Sequence, residues 1–136
     1  MTVVTKTVRF DAAHILSDSE GKCRNLHGHT YRVDVSVGAT DEFSDMVIDF
    51  TELKRLMNEL ICARFDHAFI YHAGSAGESE IAAVVERLGL RTVRLGFRST
   101  AENLARHFFE LLAPQVAGLK SVKVWETADN CAEYTP

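Results

Sequence analysis

The sequence predicts an α+β domain whose strands pair mainly in antiparallel fashion. Two observations carry that expectation. Near both ends of the chain apolar residues alternate with polar ones, the two-residue period of half-buried strands. Between them lie stretches with apolar residues three and four apart, each preceded by a helix-capping residue. The order is strand, strand, helix, a small inserted piece, helix, strand, strand. No repeat or Pro/Ser-rich linker divides it, so residues 1–136 are expected to form one domain.

Each element has its own signal. Val3 to His14 puts Val4, Val8, Phe10, Ala12 and His14 at even positions, and Lys6 breaks the series. His29 to Val37 alternates more cleanly, with Tyr31, Val33, Val35 and Val37 opposing Thr30, Arg32, Asp34 and Ser36. Asp49 with Glu52 has capping-box spacing and opens a helix over Phe50 to Arg64, its apolar side Leu53, Leu56, Met57, Leu60 and Ile61. The inserted piece, about residues 72–98, holds a helix over Ser79 to Leu88 and a short strand over Arg91 to Phe97. That helix carries Ile81, Val84, Val85 and Leu88 on one side, and Gly89 stops it. Ser99 with Glu102 opens the next helix, which turns Leu104, Ala105, Phe108, Leu111 and Leu112 inward and ends at Pro114. Leu119 to Thr127 alternates again, and a last short strand runs through Cys131 to Tyr134.

Composition excludes several classes. The chain has 15 Lys and Arg against 19 Asp and Glu, a net charge of −4, whereas a general nucleic-acid binder carries a basic surplus. The longest aliphatic run, Ile81 to Val85, is far short of the roughly 20 residues that span a bilayer. Lys6 and Arg9 fall where a signal peptide would be apolar. Three cysteines (Cys23, Cys62 and Cys131), without any C-x-x-C pair, fit a reducing compartment, so the expected setting is the cytoplasm.

Histidine placement points to chemistry. His14, His27 and His29 lie at the adjoining ends of the first two strands, and all three continue the apolar faces. Three neutral imidazoles converging from two strands would form a three-nitrogen zinc site with an open fourth position. The alternative is an accidental H-x-H with His14 packed singly. Cys23 lies four residues before His27, between Lys22 and Arg24, whose charges favour a thiolate. It could equally be a fourth metal ligand or an inert small side chain. Cys62 and Cys131 read as structural, and His72 and His107 as surface or helix-face residues. Asp66-His67 could act as an oriented acid–base pair, although neighbours in sequence often point apart. Glu126 continues the inward series Val122 and Val124, so it is either solvated at a strand end or buried to meet a ligand. A carboxylate there suits the paired N–H groups of an amino-heterocycle.

Six pieces in order resemble one family. They are Phe10-Asp11-Ala12-Ala13-His14, Cys23 to His29, Val47-Ile48-Asp49-Phe50, Phe65-Asp66-His67, Ser99 to Asn103 and Val124-Trp125-Glu126-Thr127. The chain resembles the 6-pyruvoyl-tetrahydropterin synthase / 6-carboxytetrahydropterin synthase family. The resemblance implies the tunnelling (T-fold) architecture, in which subunits close a barrel, usually as a homohexamer with active sites between subunits. It makes His14, His27 and His29 the zinc ligands, Cys23 the proton acceptor, and Asp66 with His67 the relay. It makes Glu126 the pterin anchor, with Thr100 and Glu102 lining the pocket. The three residues between Cys23 and His27 resemble the 6-carboxytetrahydropterin branch of the queuosine pathway. That branch converts 7,8-dihydroneopterin triphosphate with loss of triphosphate and acetaldehyde. The alternatives are the pyruvoyl branch, without carbon–carbon cleavage, and a non-catalytic zinc- or pterin-binding module. Two features depart from the family pattern: a longer stretch from His67 to Thr100, and Trp125 with Ala128-Asp129-Asn130 around Glu126.

Overall fold

The computed structural model describes the whole chain, Met1 to Pro136. Its centre is a six-stranded sheet in the order β4-β3-β1-β2-β5-β6. The strands are β1 (Val3–His14), β2 (His27–Gly38), β3 (Ala68–His72), β4 (Thr92–Leu95), β5 (Leu119–Thr127) and β6 (Asn130–Tyr134). The helices are α1 (Phe50–Met57), α2 (Ala63–Phe65), α3 (Ala76–Arg87) and α4 (Ala101–Leu112). A π-helical turn, Asn58–Cys62, joins α1 to α2, so the predicted helix over 50–64 runs on through Phe65. No helix is long and apolar enough to cross a membrane.

β1 and β2 form an antiparallel hairpin in the expected register, with Val8 opposite Val33 and Phe10 opposite Tyr31. Their even and odd apolar series meet α1 and α4 on one face. Tyr31, Val33, Val35 and Val37 are fully buried there with Leu53, Met57, Leu104, Phe108 and Leu112. Burying each such aliphatic or aromatic side chain contributes about 1.5–3 kcal/mol. Phe10 stacks on Tyr31 with ring centroids 5.1 Å apart.

The sheet is mixed rather than wholly antiparallel. β3 was not expected as a strand, and it pairs parallel to β1 on one side and parallel to β4 on the other. Its residues are apolar on both faces: Ala68 and Ile70 enter the main core, while Phe69 and Tyr71 pack with Ile15 and Ala82 of α3. A strand buried on both faces has no alternation to show. α3 also departs from expectation. It starts three residues earlier, and of its predicted apolar stripe Ile81, Val84 and Leu88 are exposed, whereas Ala82 and Glu78 are buried.

Two caps were expected. Asp49 accepts the Thr51 N–H at 2.8 Å, as predicted. At α4 the cap is Thr100, which accepts the Asn103 N–H at 3.2 Å. Ser99 is fully buried one residue earlier and serves the site instead.

Candidate active site

Pairing of β1 with β2 sets His14 opposite His27 and Ala12 opposite His29, so three imidazoles collect at one end of the hairpin. Gly28 lies between the two β2 histidines. A Cβ there would stand 3.1 Å from the Ala12 carbonyl oxygen, so glycine lets the two backbones approach closely. The three histidines each turn a ring nitrogen to a common point, all within 4.8 Å of one another.

Hydrogen bonds decide which nitrogens carry protons. His14 Nδ1 lies 3.0 Å from the Ser99 carbonyl, and His27 Nδ1 lies 2.7 Å from the Asn25 carbonyl. A carbonyl only accepts, so both Nδ1 atoms donate, which leaves each ring's Nε2 turned to the common point. Those two Nε2 atoms face each other at 3.0 Å. His29 Nε2 is buried and has no hydrogen-bond partner. Burial lowers the His14 pKa to about 4; the Ser99 carbonyl opposes this, and neighbouring His27 and His29 add to it. Burial, then His27, lowers His29 also. With both Nδ1 donors already spent on carbonyls, two Nε2 atoms this close call for a cation or a proton between them. The donor set therefore fits a metal ion, and this is a possible metal-binding cluster.

Beside it lies a cavity of about 170 Å³ lined by Leu16, Thr100, Ala101, Glu102, Glu126, Asn130 and Cys131. Glu126 is half-buried, and its Oε2 stands 3.9 Å from His29 Nε2. Burial raises the Glu126 carboxyl, the charge of Glu102 raises it further, and His27 partly opposes them. Glu126 is thus partly buried, in line with its parity, and Thr100 and Glu102 line the same cavity. Two carboxylates in a small pocket can receive N–H groups of a polar, flat ligand.

Cys23 sits in an exposed 3-10 turn, Lys22–Arg24, between the two histidine strands. Its carbonyl accepts the Leu16 N–H at 2.9 Å, and Leu16 lines the Glu126 cavity. Asp66 and His67 do not join this group within one chain. Asp66 Oδ1 accepts the Asp11 N–H at 3.0 Å and meets His67 Nδ1 at 3.0 Å. The Asp11 N–H, opposed by slight burial and helped by His67 and Arg91, holds the Asp66 carboxyl below its usual range. The pair clusters with the Asp11 carboxylate, on the side of the sheet from which Asp11, Ala13 and Thr30 project. That is opposite to His14 and His29. There His67 and Asp11 border a cavity of about 630 Å³ with Gly28, Thr30, Phe69 and Arg91. His67 has φ +59°, a conformation uncommon outside glycine and found disproportionately at functional positions.

Some residues were missed or misread. Ser99, read as a cap, instead orients His14. Tyr31, read only as apolar, is fully buried with an unpartnered hydroxyl, its ring 5.4 Å from that of His29. Cys131, read as structural, is exposed and lines the Glu126 cavity. His107, read as a surface or helix-face residue, lies on α4 half-buried beside Phe97 and Phe65, and burial, with Arg64, lowers its pKa. A local pattern could have flagged Cys131, five residues beyond Glu126 across a tight turn. Nothing local marks Ser99 or Tyr31.

The 6-pyruvoyl tetrahydropterin synthase family model matches residues 3–136. A 6-carboxy-5,6,7,8-tetrahydropterin synthase of Haemophilus influenzae is 38% identical, over 98% of this chain and 99% of that one. One from Aquifex aeolicus is 37% identical, over 96% of each chain. Among solved structures, the 6-pyruvoyl tetrahydropterin synthase of Caenorhabditis elegans superposes with a TM-score of 0.68 at 30% identity, covering 100% of this chain and 97% of that one. An uncharacterised protein of Wolinella succinogenes shares the fold, with a TM-score of 0.80 at 21% identity, covering 98% and 97%.

Proposed function

We propose, from the premise that this chain belongs to the 6-pyruvoyl tetrahydropterin synthase family and is a lyase of that family, that it converts 7,8-dihydroneopterin triphosphate to 6-carboxy-5,6,7,8-tetrahydropterin. One water is consumed, and acetaldehyde and triphosphate are released. The observation that carries the reading is the pair of facing His14 and His27 Nε2 atoms at 3.0 Å, with Glu126 beside His29. A metal-holding triad next to a half-buried carboxylate is what a polar heterocycle bearing a reactive hydroxylated side chain requires.

His14, His27 and His29 would hold zinc, which supplies Lewis-acid polarisation of the side-chain hydroxyls when bound. Glu126 receives the N–H edge of the pterin, and Thr100 and Glu102 flank it. Cys23 as thiolate removes a proton from the side chain. His67, oriented by Asp66, returns one. Within one chain Asp66 and His67 lie across the sheet from the histidine cluster. The reading therefore includes a homo-oligomer, a hexamer by family resemblance, in which a neighbouring subunit brings this pair to the Glu126 pocket.

A second reading has one observation in its favour: the Caenorhabditis elegans neighbour is a 6-pyruvoyl tetrahydropterin synthase. The more similar curated relatives, at 38% and 37% identity, favour the carboxy product. Incubating the purified protein with dihydroneopterin triphosphate separates them. Acetaldehyde with 6-carboxytetrahydropterin supports the first reading, and triphosphate without acetaldehyde supports the second. Tight substrate binding with no triphosphate released would overturn both.

A further inference from the structure

The segment that carries Cys23 has little to hold it in place. Residues 20–26 are all exposed, so no apolar packing fixes the thiol relative to the Glu126 cavity. What fixes the segment is polar. Leu16 donates to the Cys23 carbonyl at 2.9 Å, closing the loop on itself. One residue on, the Ser17 hydroxyl donates to Glu78 Oε2 at 2.7 Å and lies 3.1 Å from the Ser75 hydroxyl. A weaker hold comes from Arg98, which donates to Ser19 Oγ at 3.3 Å and stands 3.6 Å from Asp18. The Arg98–Asp18 pair is largely solvated, and such pairs fix little.

Glu78 is unusual for a residue of its type. It is 3% exposed, yet no basic side chain lies within ion-pair distance. Burying a carboxylate without a cation is costly unless hydrogen bonds and a helix N-terminus compensate it. Both are present: Glu78 is the third residue of α3, and its Oε1 accepts the His72 N–H at 3.2 Å. Capping does not account for it. In a capping box the acid reaches back to the N–H of the capping residue. Here Ser75 caps by accepting the Glu78 N–H at 3.3 Å, while its own N–H goes to the His72 carbonyl. The Glu78 carboxylate is left to join the end of β3 to Ser17, one residue from Leu16.

We propose that Glu78, acting through Ser17, is a positioning residue that holds the Cys23 loop at the Glu126 pocket. The proposal rests on the reading of Cys23 as the proton acceptor. It gives α3 a task in the reaction, although no residue of α3 touches the pocket.

The test uses Ser17→Ala, Ser17→Thr and Glu78→Gln in the full-length, zinc-loaded protein. Three readouts are followed: turnover of dihydroneopterin triphosphate, zinc content, and hydrogen exchange of the Leu16 amide. Ser17→Ala cuts the tie from the loop side, so folding of α3 is not at stake. Ser17→Ala and Glu78→Gln should speed Leu16 exchange and lower kcat by about tenfold to a hundredfold, the cost of a displacement on the order of 1 Å. KM and zinc content should stay within about twofold, consistent with loss of positioning alone. Ser17→Thr keeps the hydroxyl and should keep kcat. The double variant Ser17→Ala/Glu78→Gln should be no slower than the worse single one. Unchanged kcat in Ser17→Ala overturns the proposal, whether or not Leu16 exchange speeds up, and leaves the role of Cys23 intact. Full turnover in Cys23→Ala overturns the proton-acceptor reading instead, and the proposal with it.

Discussion

Replacing Glu126 with glutamine keeps the side chain's volume and exchanges one acceptor oxygen for a donor. In the free protein that carboxylate is poorly placed for its own sake. Burial and the charge of Glu102 both raise its pKa, and its nearest cationisable neighbour, His29, stands 3.9 Å away with a pKa lowered by burial. Removing the charge should therefore leave folding stability unchanged or slightly higher. Ligand binding should move the other way. A hydrogen bond to a charged group contributes about 1.5–3 kcal/mol, and the new amide would also face the donors of the pterin edge. Since 1.4 kcal/mol is about tenfold, Kd should rise roughly 10- to 100-fold. Titration of 7,8-dihydroneopterin into zinc-loaded Glu126→Gln, with thermal unfolding and metal analysis on the same sample, reads all three quantities. The expected pattern is weaker pterin binding at constant zinc and constant or raised Tm. A Kd within twofold of the parent would refute the reasoning and place Glu126 outside the recognition edge. A fall in zinc content would instead make the carboxylate part of the metal site.

Other consequences are equally measurable. Purified protein should hold about one zinc per chain, and a His27→Ala/His29→Ala double variant should lose it while staying folded; full occupancy in that variant would sink the metal reading. Cys23→Ala should bind zinc and pterin normally but turn over about a hundredfold more slowly, the usual contribution of a placed acid–base group; parallel loss of zinc would make Cys23 a ligand. Asp34 offers a pH test away from the site. Burial raises its carboxyl, but hydrogen bonds from Arg32, Thr7 and Trp125 outweigh burial and leave the pKa lowered. The stabilisation is thus present above the unfolded-state value of about 4 and lost as pH falls through the folded one. Urea unfolding should show Asp34→Asn weaker by about 1–3 kcal/mol at pH 7 and much closer to the parent near pH 3. An equal deficit at both pH values would contradict the linkage.

The parts of the fold that were legible are those with one face in water. Tyr31, Val33, Val35 and Val37 alternate with Thr30, Arg32, Asp34 and Ser36 because only one side of β2 meets helices. The same parity carried over to His14, His27 and His29, so the histidine cluster was readable as residues continuing an apolar face. β3 gave no such signal, since Ala68 to Tyr71 are buried on both sides. With that strand undetected, neither the parallel pairing to β1 and β4 nor the place of α3 could be foreseen. The stripe Ile81, Val84 and Leu88 showed only that α3 is amphipathic, not which side meets the sheet.

The placement of the proposed acid–base pair was hidden for the same reason. Asp66 and His67 immediately precede β3, so the face they reach depends on a register that sequence periodicity never reported. Residue type alone marked them as chemistry, and adjacency in sequence suggested a pair. The His67 N–H bond to the Asp11 carbonyl and the Asp11 N–H bond to Asp66 fix them across the sheet from the triad. A single chain therefore holds both halves of the proposed chemistry on opposite sides of one sheet. Placing the relay beside Cys23 then requires either a second copy or a different proton donor. A mixture of Cys23→Ala and His67→Ala chains, each strongly slowed alone, discriminates between these. Recovered turnover on mixing requires that the two residues act from different subunits.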